Sequence, residues 1–142
     1  MEGKKFKIGN RSVGLIFGLT AFRYWCESTG QSLETLDKVI MDPEMDNIAR
    51  NNYWAVFILC GMQVFNKVNK DEKYQQEIPT IEEIEYLIDN TPQDLFNDIF
   101  NYYLDSSYVG KTMREHYGLV EVSDKEEKKE ESTKKKRTQS VK

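Results

Sequence analysis

The stretch from Tyr53 to Phe65 limits the possible folds of this chain more than any other part of it. It reads Tyr-Trp-Ala-Val-Phe-Ile-Leu-Cys-Gly-Met-Gln-Val-Phe, and Gln63 is its one clearly polar side chain. At about 100° per residue, the apolar side chains cover every face of a helix, so no face can be left to water. The sequence therefore predicts a central helix that is buried on most sides.

Neither a membrane span nor a pair of buried strands explains this stretch as well. A helix of this length covers roughly 20 Å, which is shorter than a bilayer span, and polar residues flank it at Asn51, Asn52, Asn66 and Lys67. β-Branched residues are few, and the preceding segment from Glu44 to Arg50 continues a helical pattern. We therefore expect no contact with a membrane.

The composition is that of a single domain followed by a charged tail. With 39% hydrophobic and 12% aromatic residues, the 142-residue chain has enough apolar surface for a core without disulfides or metal. Cys26 and Cys60 lie in apolar helical patterns with no Cys-x-x-Cys spacing, which is typical of buried thiols in a reducing compartment. No secretion or lipidation signal is evident, so the expected location is the cytosol.

The formal charge of −4 is unevenly distributed along the chain. The segment from Glu121 to Lys142 has eight Lys and Arg against six Asp and Glu, which leaves −6 for the residues before it. An acidic body argues against nucleic-acid binding by the folded part. Residues 121–142 contain almost no apolar side chains and are expected to form a disordered tail, so the predicted domain covers residues 1–120.

The elements in order suggest a mainly α fold (α+β), in which a β-hairpin precedes about five helices. Gly9-Asn10-Arg11 separates the two hairpin strands and can supply the positive φ of a turn. Alternation places Val13, Leu15 and Phe17 on one face of the second strand. The predicted strands are 5–8 and 12–17, and the predicted helices are 20–28, 33–40, 43–68, 81–88 and 92–108.

Helix boundaries follow from capping residues. Thr20, Ser32, Thr80 and Thr91 are expected as N-caps, and Thr80 forms a capping box with Glu83. Pro43 and Pro92 fit the first turns of the helices that they precede, and Gly30 fits a left-handed C-terminal position. Gly61 lies inside the central helix, where glycine costs about 1 kcal/mol relative to alanine, which indicates that another element passes close to it.

The last long helix has an unusually wide apolar arc of about 200°. One interpretation is that this helix is wedged between two others of the same domain. The other is that part of the arc meets another chain, and Phe100, Tyr103 and Leu104 are the expected exposed contacts for such a partner.

No catalytic, metal or cofactor site can be assembled from the sequence. His116, the single histidine, stands beside Arg114 and Glu115 and is expected at the surface or near a helix end. The acidic groups at 82–85 and at 94–98 lie in the first turns of helices, where carboxylates favour the helix dipole. The glycines do not form a phosphate-binding loop. We therefore expect a protein that is not an enzyme, with no metal and no cofactor.

The order of elements resembles the tail assembly chaperones of long-tailed bacteriophages. A lysine-rich hairpin leads into Phe17-Gly-Leu-Thr-Ala-Phe-Arg-Tyr-Trp-Cys-Glu-Ser-Thr-Gly30-Gln-Ser-Leu-Glu-Thr-Leu36, a long apolar helix follows, and Ile78-Pro-Thr-Ile-Glu-Glu-Ile-Glu-Tyr-Leu-Ile88 comes after it. The resemblance covers roughly Lys4 to Leu104. The lysine-rich tail departs from it.

The resemblance implies a non-enzymatic protein of the bacterial host cytoplasm that is absent from the mature virion. Such chaperones bind the tape-measure protein, keep it soluble and bring tail-tube protein subunits to it. Self-association is left open. The family also implies that a longer product can arise by ribosomal frameshifting, for which the codons of Lys134 to Lys136 are a candidate site. The alternative is a small helical adaptor or regulatory protein that binds a host or phage protein.

Overall fold

The computed structural model describes residues 1–119, and the predicted disordered tail at 121–142 lies outside this range. An N-terminal hairpin is followed by five helices of nine or more residues, as predicted, and then by a second small hairpin and one helical turn. The strands are β1 (Lys4–Ile8), β2 (Arg11–Leu15), β3 (Ser107–Tyr108) and β4 (Lys111–Thr112). The helices are α1 (Leu19–Thr29), α2 (Leu33–Met41), α3 (Asn47–Val68), α4 (Ile81–Asp89), α5 (Gln93–Leu104) and α6 (Met113–His116), with a 3-10 turn at Glu72–Tyr74.

Helix α3 is the centre of the domain, as its sequence predicts. Every residue from Trp54 to Met62 is buried, as are Val64 and Phe65, and Gln63 is exposed. Helices α1, α2 and α4 and strand β2 pack around it. None of the helices in residues 1–119 has the length and apolarity that a bilayer span requires.

The N-terminal hairpin packs on α3 through its second strand. Strands β1 and β2 are antiparallel with Ile8 opposite Arg11, so Gly9 and Asn10 form a two-residue turn in which Gly9 has φ of 64°. Val13 and Leu15 point into the core, and Phe17 follows on the same side. The predicted alternation on the second strand is confirmed.

Two glycines allow β2 and the segment after it to lie against α3. A Cβ built on Gly61 would come within 2.7 Å of the Phe17 ring, and one on Gly14 would come within 2.6 Å of the Phe65 ring. The backbone N–H of Ile16 also donates to the Gly61 carbonyl at 3.1 Å. The close approach predicted at Gly61 is therefore confirmed, because any side chain there would overlap the neighbouring aromatic ring.

Polar side chains of the loop after α3 connect the hairpin to α3 through hydrogen bonds. The Gln76 side chain accepts from the Gly14 N–H at 2.8 Å and donates to the Gly14 carbonyl at 2.9 Å and to the Met62 carbonyl at 3.3 Å. Asn69, the one buried polar residue among the described positions, exchanges two hydrogen bonds with the Glu2 backbone. The side chains of this loop thus supply backbone partners that the two-stranded ribbon cannot.

Several caps follow the predictions. The capping box of Thr80 and Glu83 is present, with both hydrogen bonds formed. Gly30 ends α1 with φ of 72°, and Ser32 occupies the N-cap position of α2, although its side chain makes no capping bond. Helix α3 ends at Val68, where the sequence placed its end.

Three predicted boundaries are wrong. Helix α1 begins at Leu19, so Thr20 lies in its first turn, because the Gly18 carbonyl already accepts the first helical hydrogen bond. Pro43 lies in the loop before α3, and Asp46 is the N-cap through a 3.0 Å bond from the Ala49 N–H. Thr91 does not cap α5, because its hydroxyl accepts from the Gly9 N–H and donates to the Leu87 carbonyl.

The end of α5 also differs from the prediction. The helix stops at Leu104 and not near Tyr108, because Ser107–Tyr108 pairs with Lys111–Thr112 as a second hairpin. Val109 and Gly110 form its turn with φ of 48° and 86°, as in a type I′ turn. One further helical turn follows as α6, which begins with a second capping box, that of Thr112 and Glu115.

Candidate partner-binding cleft

The three predicted contact residues on α5 have different surroundings. Tyr103 is 0% exposed and Leu104 is 3% exposed, so the expectation that they form an exposed contact surface is wrong. Phe100 is half-buried. Of the three, Phe100 alone is at a surface that a partner can reach.

Tyr103 is buried because aromatic side chains of three elements meet around it. Its ring makes perpendicular contacts with Phe57 at 5.2 Å, with Trp54 at 5.6 Å and with Phe17 at 5.8 Å between centroids. Its hydroxyl lies 2.6 Å from the Tyr117 hydroxyl. Most of the wide apolar arc of α5 is therefore explained by packing inside the domain, which is the first of the two interpretations.

The part of the arc that remains accessible forms one wall of a cleft. The cleft has a volume of about 130 Å³ and lies where α2, α3 and α5 meet. Trp54 of α3 lies between the walls, with Val39 and Ile40 of α2 on one side and Phe96 and Phe100 of α5 on the other. Arg50 and Asn51, one turn before Trp54 on α3, complete the lining. A cavity of about 150 Å³ lined by aliphatic and aromatic residues can hold a benzene molecule, so this cleft has room for one large apolar side chain.

The indole N–H of Trp54 is unusual because it is buried and has no hydrogen-bond acceptor in the described part of the chain. Its side chain is 4% exposed, and its indole N–H is buried without an acceptor among residues 1–119. The rings of Phe96 and Phe100 contact the indole ring nearly edge to face, with centroids 5.9 Å and 6.1 Å away. A buried donor without an oxygen acceptor costs about 1–3 kcal/mol. The other tryptophan, Trp25, donates to the Tyr53 carbonyl at 2.9 Å.

Arg50 fixes the mouth of the cleft. Its Nε donates to the Val39 carbonyl at 3.1 Å, one Nη donates to the Asp42 carbonyl, and the other lies 3.5 Å from the Asn47 side-chain oxygen. The guanidinium thus satisfies carbonyl groups at the C-terminal end of α2, where a cation also complements the helix dipole. Arg50 therefore holds α2 against α3 and keeps the cleft open between α2 and α5.

The loop at this mouth is acidic. Asp42, Glu44 and Asp46 lie within five residues, and none forms a salt bridge within the described range. Arg50 is tied to the carbonyl of Asp42 and, through its own backbone N–H, to that of Asp46. This places the loop beside the cleft and gives its surroundings a negative charge.

The acidic character extends to α4 and α5. Between Tyr74 and Gly110 there are eight Asp and Glu and no Lys or Arg. Within the described residues, Asp105 is the one member of this group that forms a salt bridge, which it makes with Arg114 at 3.1 Å. Helices α4 and α5 therefore add further carboxylates to the acidic body of the domain.

A second polar cluster lies between α2, α5 and α6. His116 Nε2 is 3.6 Å from Asp37 Oδ2, and its ring contacts those of Tyr108 and Tyr117. Burial raises the pKa of Tyr117, and its neighbours Tyr103 and Asp37 raise it further. His116 is the last residue of α6, as expected for a position near a helix end, and its half-buried side chain pairs with Asp37 of α2.

Tyr103 of this cluster is fully buried, and Tyr108 and Tyr117 are half-buried. Within residues 1–119, no group of three or more His, Cys, Asp and Glu residues is arranged to hold a metal ion. Burial raises the pKa of Cys60 to about 12, so its thiol stays protonated at neutral pH. Of the surfaces described, the cleft over Trp54 is the one that combines apolar walls with a buried hydrogen-bond donor that has no acceptor within residues 1–119.

Sequence reasoning found one wall of the cleft and missed the rest. The wide apolar arc of α5 points to Phe100, whereas Trp54 belongs to a stretch whose sequence predicts only that it is buried. The sequence feature that could have indicated the cleft is Arg50, a cation that precedes the apolar stretch by three residues. Its role depends on carbonyl groups of α2 that become neighbours only in the folded chain.

A comparison of the chain with protein-family models, with curated proteins and with solved structures finds no match.

Proposed function

We propose that this protein is a non-enzymatic assembly chaperone that binds a long helical client through the cleft between α2 and α5. The observation that supports the proposal is the cleft itself, which has aliphatic and aromatic walls and an indole N–H without an acceptor. A client helix that inserts an apolar side chain would remove the accessible parts of Ile40, Phe96 and Phe100 from water. Burial of this kind contributes roughly 25 cal/mol per Å² of apolar surface.

The resemblance to phage tail assembly chaperones identifies the proposed client as a tape-measure protein. Such a client has to stay soluble before the tail tube forms around it, and a chaperone that covers its apolar positions prevents self-association. The body of this chain has a net charge of −6 before the tail, which favours solubility of the complex. In this proposal the protein acts in the bacterial cytoplasm, brings tail-tube subunits to the client, and leaves before the virion is complete.

The test is co-expression with the tape-measure protein of the same genome. The expected result is that the client becomes soluble and co-purifies with the chain. Phe100→Asp should abolish the effect, because it places a carboxylate in the wall of the cleft. Tyr86→Asp is the matched control, since Tyr86 is 70% exposed on α4 and does not line the cleft.

Circular dichroism and the melting temperature of each variant show whether it still folds. Equal solubility of the client with and without the chain would overturn the proposal. So would a folded Phe100→Asp variant that still keeps the client in solution. The genomic position provides an independent check, because a chaperone gene of this kind is expected between a tail-tube gene and a very long tape-measure gene. A stable complex with a host protein instead would support the adaptor function.

A further inference from the structure

We infer that the cleft over Trp54 selects a basic amphipathic helix, one that places a large apolar side chain between α2 and α5 and Lys or Arg residues beside the acidic loop at 42–46. This inference rests on the proposed function, because it specifies which helices the chaperone binds.

The size of the cleft limits the apolar side chain. About 130 Å³ between Ile40 and Phe96 suits one leucine, isoleucine, methionine or phenylalanine, and not a row of them. A helix presents neighbouring apolar residues at intervals of three and four, so adjacent members of the stripe would lie outside the cleft. Ile48, which is 81% exposed in the first turn of α3, is one turn before Asn51 of the lining and can meet such a residue.

The charges at the mouth favour Lys or Arg on the client. Asp42, Glu44 and Asp46 are followed by Arg50, but its guanidinium is held by carbonyl oxygens of α2 and the loop. Lys38 is exposed, and its position on α2 is about 160° from that of Ile40, on the side away from the cleft. The loop therefore presents three carboxylates against the single positive charge of Arg50, and a cationic helix is steered to this net negative charge.

The indole N–H of Trp54 provides a probe for occupancy of the cleft. It is the one buried side-chain donor in the described residues without a hydrogen-bond partner, and it belongs to the residue between the two walls. The N–H is itself buried, so a side chain in the cleft changes its surroundings without having to bond to it. The apolar walls and the acidic loop at 42–46 together fit a basic amphipathic helix better than an acidic one.

The experiment uses the full chain and two synthetic helical peptides with the same leucine stripe. One peptide has lysine on its polar face and the other has glutamate. Binding is followed by the two indole N–H signals in nitrogen-15 correlation spectra. Trp54 reports on the cleft, and Trp25, whose N–H is already bonded to the Tyr53 carbonyl, is the internal control.

The expected result is that the lysine peptide shifts the Trp54 signal and leaves that of Trp25 in place. The glutamate peptide should bind at least about tenfold more weakly, which corresponds to about 1.4 kcal/mol. Glu44→Lys should lower the affinity for the lysine peptide by a similar factor. Glu72→Lys should not, because Glu72 is exposed in the 3-10 turn that follows the far end of α3, and Val68 at that end lies roughly 21 Å along the helix axis from Trp54.

The outcomes separate the two proposals. Equal binding of both peptides at the Trp54 signal, or binding of the lysine peptide that moves neither indole signal, would overturn the charge selection and leave the chaperone proposal to the client assay. Loss of selectivity in Glu72→Lys as well as in Glu44→Lys would mean attraction to the acidic body in general, and would overturn the role of the loop. If the peptides bind as expected while the tape-measure protein gains no solubility, the cleft keeps its selectivity and the chaperone proposal fails.

Discussion

Replacement of Gln76 should reveal how much of the fold depends on one side chain that completes a backbone ladder. In the hairpin, Ile8 and Arg11 form the closing pair of a two-residue turn, so the pairs alternate and the N–H and C=O of Gly14 point away from β1. The Gln76 amide accepts from that N–H and donates to that carbonyl, at 2.8 Å and 2.9 Å. It therefore takes the place of a third strand.

The magnitude follows from the groups left without partners. In Gln76→Ala, the Gly14 N–H and C=O each lose their side-chain partner, and the Met62 carbonyl loses a longer contact of 3.3 Å. An unsatisfied buried group costs about 1–3 kcal/mol, and because this site is only partly buried we expect about 2–4 kcal/mol in total. That is a large share of a stability of about 5–15 kcal/mol. It corresponds to a melting temperature lower by roughly 10 °C.

Gln76→Glu separates the acceptor from the donor. The introduced carboxylate can still accept from the Gly14 N–H, but its second oxygen replaces the amide nitrogen and faces the carbonyls of Gly14 and Met62. This contact favours the protonated carboxyl, so its pKa is raised in the folded state above the usual value of about 4.3. The stabilising hydrogen bond is then fully present below the unfolded pKa and is lost as the pH rises through the folded pKa.

The assay is urea denaturation of wild type, Gln76→Ala and Gln76→Glu at several pH values between 4 and 8. We expect the Gln76→Glu variant to be at least as unstable as Gln76→Ala at neutral pH and to approach the wild type at the acidic end. The loss in Gln76→Ala should not change with pH. A loss below about 0.5 kcal/mol in Gln76→Ala, within the range of ordinary surface substitutions, would refute the reasoning. A difference between Gln76→Glu and wild type that does not vary with pH would refute it as well.

Three further predictions concern the core. Phe57→Ala should cost about 3–5 kcal/mol, because the ring is fully buried among aromatic neighbours, and an unchanged melting temperature would contradict its place in the core. Gly14→Ala should destabilise by about 1–3 kcal/mol in denaturant titration, since its Cβ overlaps the Phe65 ring, and a neutral result would show that the ring can move aside. Burial raises the pKa of Tyr103 and of Tyr117, so a titration of phenolate absorbance should show two tyrosines that ionise well above pH 10 or only on unfolding. The stability from these neutral hydroxyls is present below that pH and is lost as the pH rises through the raised values, so early ionisation of all eight tyrosines would contradict their burial.

The sequence by itself determined the features that depend on local chemistry and on periodicity. A helix without a polar face has to be buried, so the stretch around Phe57 could be placed in the core without knowledge of its neighbours. The capping box at Thr80 and the left-handed Gly30 are satisfied within a few residues, and both are present as predicted. The mainly α fold with an N-terminal hairpin followed from the same signals.

Tertiary structure decided which of several equally good local options was used. Thr91 is a good N-cap in isolation, but its hydroxyl bonds to the hairpin turn at Gly9, eighty-two residues away in sequence. Tyr103 and Phe100 both belong to the apolar arc of α5, and the arrangement of α3 and α6 buries the first and leaves the second at a cleft. The partners of a side chain depend on elements far away in the sequence, and no local pattern records them. The cleft over Trp54, formed by three helices, therefore appears only in the folded chain.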